Sequence, residues 1–72
     1  MFGEILNKTR KEKGISAQKM AKMLGISIRT YRYYESEHSY PPLPVFEKIA
    51  DILGVSTDYL LGREHSPEEF AD

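Results

Sequence analysis

Arg29 and Arg32 lie in the run Ile28-Arg29-Thr30-Tyr31-Arg32-Tyr33-Tyr34-Glu35. Each guanidinium is a planar fork of donors that matches a pair of acceptors, such as guanine O6 and N7 or two phosphate oxygens. At ~100° per helical residue, Ile28, Arg29, Arg32, Tyr33 and Ser36 share one face, while Tyr31, Tyr34 and Glu35 turn the other way. On the first face Ile28 offers apolar contact, as with a thymine methyl, and Tyr33 offers a hydroxyl to a base edge or a phosphate. The competing reading of such a face is simple solvation. Tyr31 and Tyr34 read as core residues, and Tyr33 and Tyr40 divide between contact and partial exposure.

Other chemistries lack their residues. The sequence has no cysteine, and His38 and His65 have no spaced carboxylate or thiol partners, so no metal site is expected. It has neither a phosphate-cradling glycine loop nor a nucleophile elbow. At 72 residues the chain is too small for a deep pocket in which paired carboxylates could be tuned. The expectation is a non-enzyme with no cofactor, no small-molecule site and no membrane segment. Absence of cysteine and of an apolar leader fits a cytoplasmic protein.

The net charge of -1 conceals an uneven distribution. Residues 1–35 hold eight Lys/Arg against three Glu, a balance of +5, whereas residues 36–72 sum to -6. One half could therefore meet phosphate, and the other would be repelled by it.

The elements that must position these groups are short helices. The first runs from Phe2 to Lys13, with Phe2, Leu6 and Thr9 inward and Gly14 as its stop. Ser16 caps a second, which carries Met20, Ala21 and Leu24 inward and halts at Gly25. Gly25-Ile26-Ser27 then leads into a third helix that Ser27 caps and Glu35 ends. A loop with Pro41 and Pro42 follows. Pro44 suits the first turn of a fourth helix with Phe46, Ile49, Ala50 and Leu53 inward. Gly54 ends it, and Ser56 or Thr57 caps a short fifth, in which Val55, Tyr59 and Leu60 close the core. Residues 63–72 read as an acidic tail with room for one helical turn from Ser66. No segment alternates with period two, so the fold class is all-α.

Two helices joined by a short glycine-containing turn form a helix-turn-helix unit, whose second helix can enter a major groove. Ala21 must be small where the helices cross, and Gly25 must take a conformation that resists a side chain. The segments Ile15-Ser16, Met20 to Ser27, Thr30-Tyr31, Tyr34-Glu35, Lys48-Ile49-Ala50, Leu53 to Ser56 and Asp58 to Gly62 closely resemble the Cro/CI-type (XRE) helix-turn-helix family. The resemblance spans residues 3–62, and the domain is placed at 1–62. It implies a five-helix, lambda-repressor-like domain that binds double-stranded DNA as a homodimer on a palindromic operator. The family's base-contacting positions fall on Ile28, Arg29, Arg32 and Tyr33, and its interior ion pair on Arg10 and Glu35.

Phosphate contacts are expected from Ser16, Gln18, Lys19, Lys22, Ser27 and Ser36, around two helix N-termini. The sequence departs from the family at Ala17, which stands where a glutamine is usual, and at Glu37, where a glycine is usual. His38 and Ser39 replace basic loop positions. These changes point to weaker backbone binding. Dimer contacts are expected from the acidic half, at Leu43, Val45, Tyr59, Leu61 and Phe70. The expectation is a sequence-specific transcriptional repressor. The alternative is a protein-interaction module on the same fold, an antitoxin or antirepressor, whose acidic half engages a basic protein.

Overall fold

Three serines set the starts of three helices. The Oγ atoms of Ser16, Ser27 and Ser56 accept from the amides of Lys19 (3.0 Å), Thr30 (3.1 Å) and Tyr59 (3.0 Å), satisfying donors that have no intrahelical partner. In the computed structural model, which describes residues 1–63, the elements are α1 (Phe2–Glu12), α2 (Ala17–Leu24), α3 (Ile28–Glu35), α4 (Leu43–Leu53) and α5 (Thr57–Leu60). No strand occurs among the described residues. The first helix ends one residue short of the expected Lys13, which is its C-terminal cap. Ser56, rather than Thr57, caps α5. The expected turn from Ser66 lies outside the described residues.

The turn between α2 and α3 is built by backbone chemistry. Gly25 sits at φ 71°, and the amides of Gly25 and Ile26 return to the carbonyls of Lys22 and Ala21. A Cβ at Gly25 would meet no atom within 4 Å, so the demand for glycine there is conformational and not steric. Gly3 presents the opposite case. A Cβ on it would lie 2.1 Å from the carbonyl oxygen of Glu35, so α1 meets the end of α3 at a distance that only glycine permits.

Each helix sends at least one fully buried side chain into a single core: Leu6, Met20, Tyr31, Ile49 with Leu53, and Leu60. Burial of each is worth roughly 1.5–3 kcal/mol relative to exposure. Ala21 is buried between α2 and its neighbours, as its small size allows. Three expected core residues stop at the edge. Phe46, Val55 and Tyr59 are half-buried. In α5 a helix of four residues has one inward position, and Leu60 fills it. Phe46 instead meets Phe2 edge-on, with ring centroids 5.5 Å apart, and Tyr40 lies 6.1 Å from Phe2 on the loop before α4.

Candidate nucleic-acid interface

Helix α3 is fixed from behind. Tyr31 and Tyr34 bury its inner face, and Glu35 lies under Arg10 of α1. Arg10 Nε donates to Glu35 Oε2 at 2.6 Å, its Nη2 reaches Oε1 at 3.3 Å, and its Nη1 donates to the carbonyl of Ile15 at 2.8 Å. Asn7 Nδ2 and the Tyr31 hydroxyl complete the shell around the carboxylate. Burial acts to raise the Glu35 pKa, but the hydrogen bonds from Arg10, Asn7 and Tyr31 outweigh it and hold the carboxyl below its usual range. Burial, with donation to Glu35, pushes the Tyr31 hydroxyl well above its usual range. One guanidinium thus ties α1, the α1–α2 turn and the end of α3 together.

Beyond α3 the chain turns at Glu37, the one non-glycine residue with positive φ (61°) among the described residues. Its side chain reaches back to α1. Oε2 accepts from the Met1 amino group at 2.7 Å and from the Gly3 amide at 2.9 Å, and Oε1 accepts from the Tyr40 hydroxyl at 3.1 Å. These donors, the Met1 amine foremost, lower the Glu37 pKa to about 2. Glu37 therefore supplies the cap that α1 lacks, since Met1 makes no side-chain cap. The sequence showed a missing loop glycine and could not show this partner, which lies 34 residues away.

On the outer side, Arg29, Arg32, Ser36, Ser16, Gln18, Lys19, Lys22 and Ser27 are all exposed. Ile28 is not: it is half-buried and packs against the core, because the start of α3 lies close on α2. Its expected place on the open face is corrected to the edge of that face. Tyr33 is half-buried and already engaged. Arg29 Nε donates to its hydroxyl at 2.9 Å, the guanidinium carbon lies 5.6 Å from its ring centroid, and His38 lies against the ring at 4.5 Å. The four-residue spacing that brings Arg29 and Tyr33 together was readable from the sequence.

The serines divide by where their protons go. Ser27 donates to Thr30 Oγ1 at 2.9 Å and Ser36 to the Tyr33 carbonyl at 3.2 Å, whereas Ser16 Oγ accepts from the Lys19 amide. Ala17, whose position lacks the family's glutamine, is half-buried against the core. Among the expected dimer residues, Leu43 and Leu61 are exposed, at 66% and 43%. Tyr59 is half-buried, as is Val45, which packs against its own core, and Phe70 lies outside the described residues. Phe2, Tyr40, Pro41, Phe46 and Leu61 border an apolar groove of about 120 Å³, below the ~300 Å³ at which ligand pockets begin. Among the described residues no helix is long and apolar enough to cross a membrane.

A capped helix, a glycine turn and a second capped helix with an arginine face find their match in a family model described as helix-turn-helix, over residues 6–60. The chain belongs to the Cro/CI-type (XRE) helix-turn-helix family. This is a family of DNA-binding transcriptional regulators that includes repressors. The chain is 48% identical over 66 residues to the SPbeta prophage-derived HTH-type transcriptional regulator YonR of Bacillus subtilis, with 92% of the chain and 61% of YonR covered. It is 40% identical over 60 residues to the cryptic phage CTXphi transcriptional repressor RstR of Vibrio cholerae, covering 83% of the chain and 54% of RstR. The solved SinR protein/SinI protein complex contains a similar chain, with TM-score 0.78, 30% identity, and coverage of 100% of this chain and 68% of that one. The helix-turn-helix chain thus spans about three-fifths of the length of YonR.

Proposed function

We propose that the chain binds double-stranded DNA as a homodimer on a palindromic operator, with α3 in the major groove, and represses transcription. The observation that carries this reading is the exposed pair Arg29 and Arg32 on a helix whose other face is locked by Tyr31, Tyr34 and the Arg10–Glu35 pair. Arg29 and Arg32 read base edges, Tyr33 stands beside them, and Ile28 adds apolar contact at the rim. Backbone contacts come from Gln18, Lys19 and Lys22 and from the amides at the starts of α2 and α3, with the Ser16 hydroxyl, which accepts from the Lys19 amide, beside them. Ser27 and Ser36 contribute by turning their hydroxyls outward from their internal acceptors. Self-association uses Leu43 and Leu61, which are exposed, with Val45 and Tyr59 beside them.

A binding titration tests this. Arg29→Ala is expected to relax base preference, at about 1–3 kcal/mol for the lost guanine contact. Lys22→Ala is expected to weaken binding to every sequence and to reduce the salt slope by about 1. Equal affinity of the unaltered protein for all duplexes would refute the proposal.

A second reading, in which the domain engages a basic protein partner, is favoured by two observations: a SinR chain of this fold is solved in complex with a second protein, and the Ala17 side chain offers no polar group to a phosphate. Salt-dependent retention on DNA resin separates the two readings.

A further inference from the structure

On the reading that α3 enters the major groove, the geometry points to Tyr33 as a positioning residue for Arg29 that makes the Arg29 guanidinium a preset reader of one guanine. The case begins with donors. An arginine can grip two acceptors through Nη1 with Nη2 or through Nε with one Nη. In this chain Nε is engaged by the Tyr33 hydroxyl at 2.9 Å, so the fork that remains free for one base is Nη1 with Nη2. That fork fits the O6 and N7 acceptors of guanine.

Tyr33 is suited to hold the fork because it is itself held. Its ring contacts His38 at 4.5 Å, and its backbone carbonyl accepts from the amides of His38 (2.9 Å) and Ser39 (3.3 Å) and from Ser36 Oγ (3.2 Å). The guanidinium lies near the ring face at 5.6 Å, which adds a cation–π attraction to the hydrogen bond. Arg32, on the same face, has no such support among the described residues. An exposed arginine samples many rotamers, and ordering it on binding lowers affinity; an arginine ordered beforehand avoids that loss. With Nε held by Tyr33, Arg29 presents only the Nη donors to the groove and thereby disfavours a cytosine N4 or an adenine N6 donor at the same step.

The experiment selects bound sites from a random DNA pool with the unaltered protein. It then measures affinity for the selected duplex, for the same duplex with 7-deazaguanine at each guanine, and for a random duplex. The proteins compared are the unaltered chain, Tyr33→Phe, Arg29→Ala and the double variant. Tyr33→Phe keeps the ring and removes the hydroxyl. It is expected to weaken the selected duplex about 3- to 10-fold, to weaken the random duplex by less, and to have no effect in the Arg29→Ala background. One 7-deazaguanine, which lacks N7, is expected to weaken the unaltered protein and to leave Arg29→Ala unaffected. A Tyr33→Phe loss that persists without Arg29 overturns the inference, because Tyr33 then contacts DNA itself; so does no loss at all. A pool that yields no selected site overturns the groove-reading proposal as well. A selected site with no coupling between the two residues overturns only the positioning role.

Discussion

Replacing Arg10 by methionine tests the ion pair that ties α1 to α3. In the native fold the two side chains are 9% and 13% exposed, and the pair is closed by contacts of 2.6 Å and 3.3 Å. Methionine fills much of the volume but leaves Glu35 charged under α1 with only Asn7 and Tyr31 as donors, and it strips the Ile15 carbonyl of its partner. Breaking a buried pair from one side costs about 3–5 kcal/mol. A domain of this size holds about 4–11 kcal/mol in total, so the substitution removes about a quarter or more of the stability. The melting temperature falls by at least ~12 °C, taking ~4 °C per kcal/mol as the lower bound.

The pH dependence supplies the sharper check on Arg10→Met. In the native protein the Glu35 pKa is lowered, so its contribution is complete above the unfolded value of ~4.3 and is lost as pH falls through the folded value. Without Arg10, burial is the largest influence left on the carboxyl, and the folded pKa is expected to rise above the unfolded one. The charged carboxylate then opposes folding at neutral pH, and protonation relieves it. Urea unfolding followed by circular dichroism should show the gap between the two proteins narrowing from pH 7 to pH 4. Adding Glu35→Gln to Arg10→Met should recover about 1 kcal/mol or more at pH 7, since glutamine keeps hydrogen-bonding capacity without the charge. A gap below about 1 kcal/mol at pH 7, or one that stays constant with pH, refutes the reasoning.

Two further substitutions probe the same junction. Gly3→Ala raises helix propensity by about 1 kcal/mol, yet its Cβ would stand 2.1 Å from the Glu35 carbonyl oxygen; a net loss of about 1–3 kcal/mol is expected, and a higher urea midpoint would contradict the close approach. The Glu37 carboxyl should titrate near pH 2 by carbon NMR. Because that pKa is depressed, its stabilising contribution is present above the unfolded value of ~4.3 and disappears as pH falls toward 2. The stability difference between the native protein and Glu37→Gln should therefore vanish in that window, and a midpoint near 4 would show that the Met1 and Gly3 contacts do not form in solution.

The sequence by itself determined the elements and the family. A serine cap acts on an amide three residues away, and a left-handed glycine stop closes on carbonyls three to five residues back, so these signals are complete within two helical turns. Ser16, Gly25 and Ser27 therefore marked the helix-turn-helix unit, and the 100° period marked Arg29 and Arg32 as outward. The same locality explains what the residues alone did not disclose. Glu35 and Arg10 are 25 residues apart and Glu37 and Gly3 are 34 apart; both pairs exist because α1 docks against the end of α3. The Arg10 partner came through family resemblance, and the Glu37 partner had no such guide. Helical periodicity placed Ile28 with the arginines, but a period describes one helix and carries no information about its neighbour. Packing of α3 on α2 turned Ile28 toward the core and left the guanidinium fork of Arg29, braced by Tyr33, on the open face.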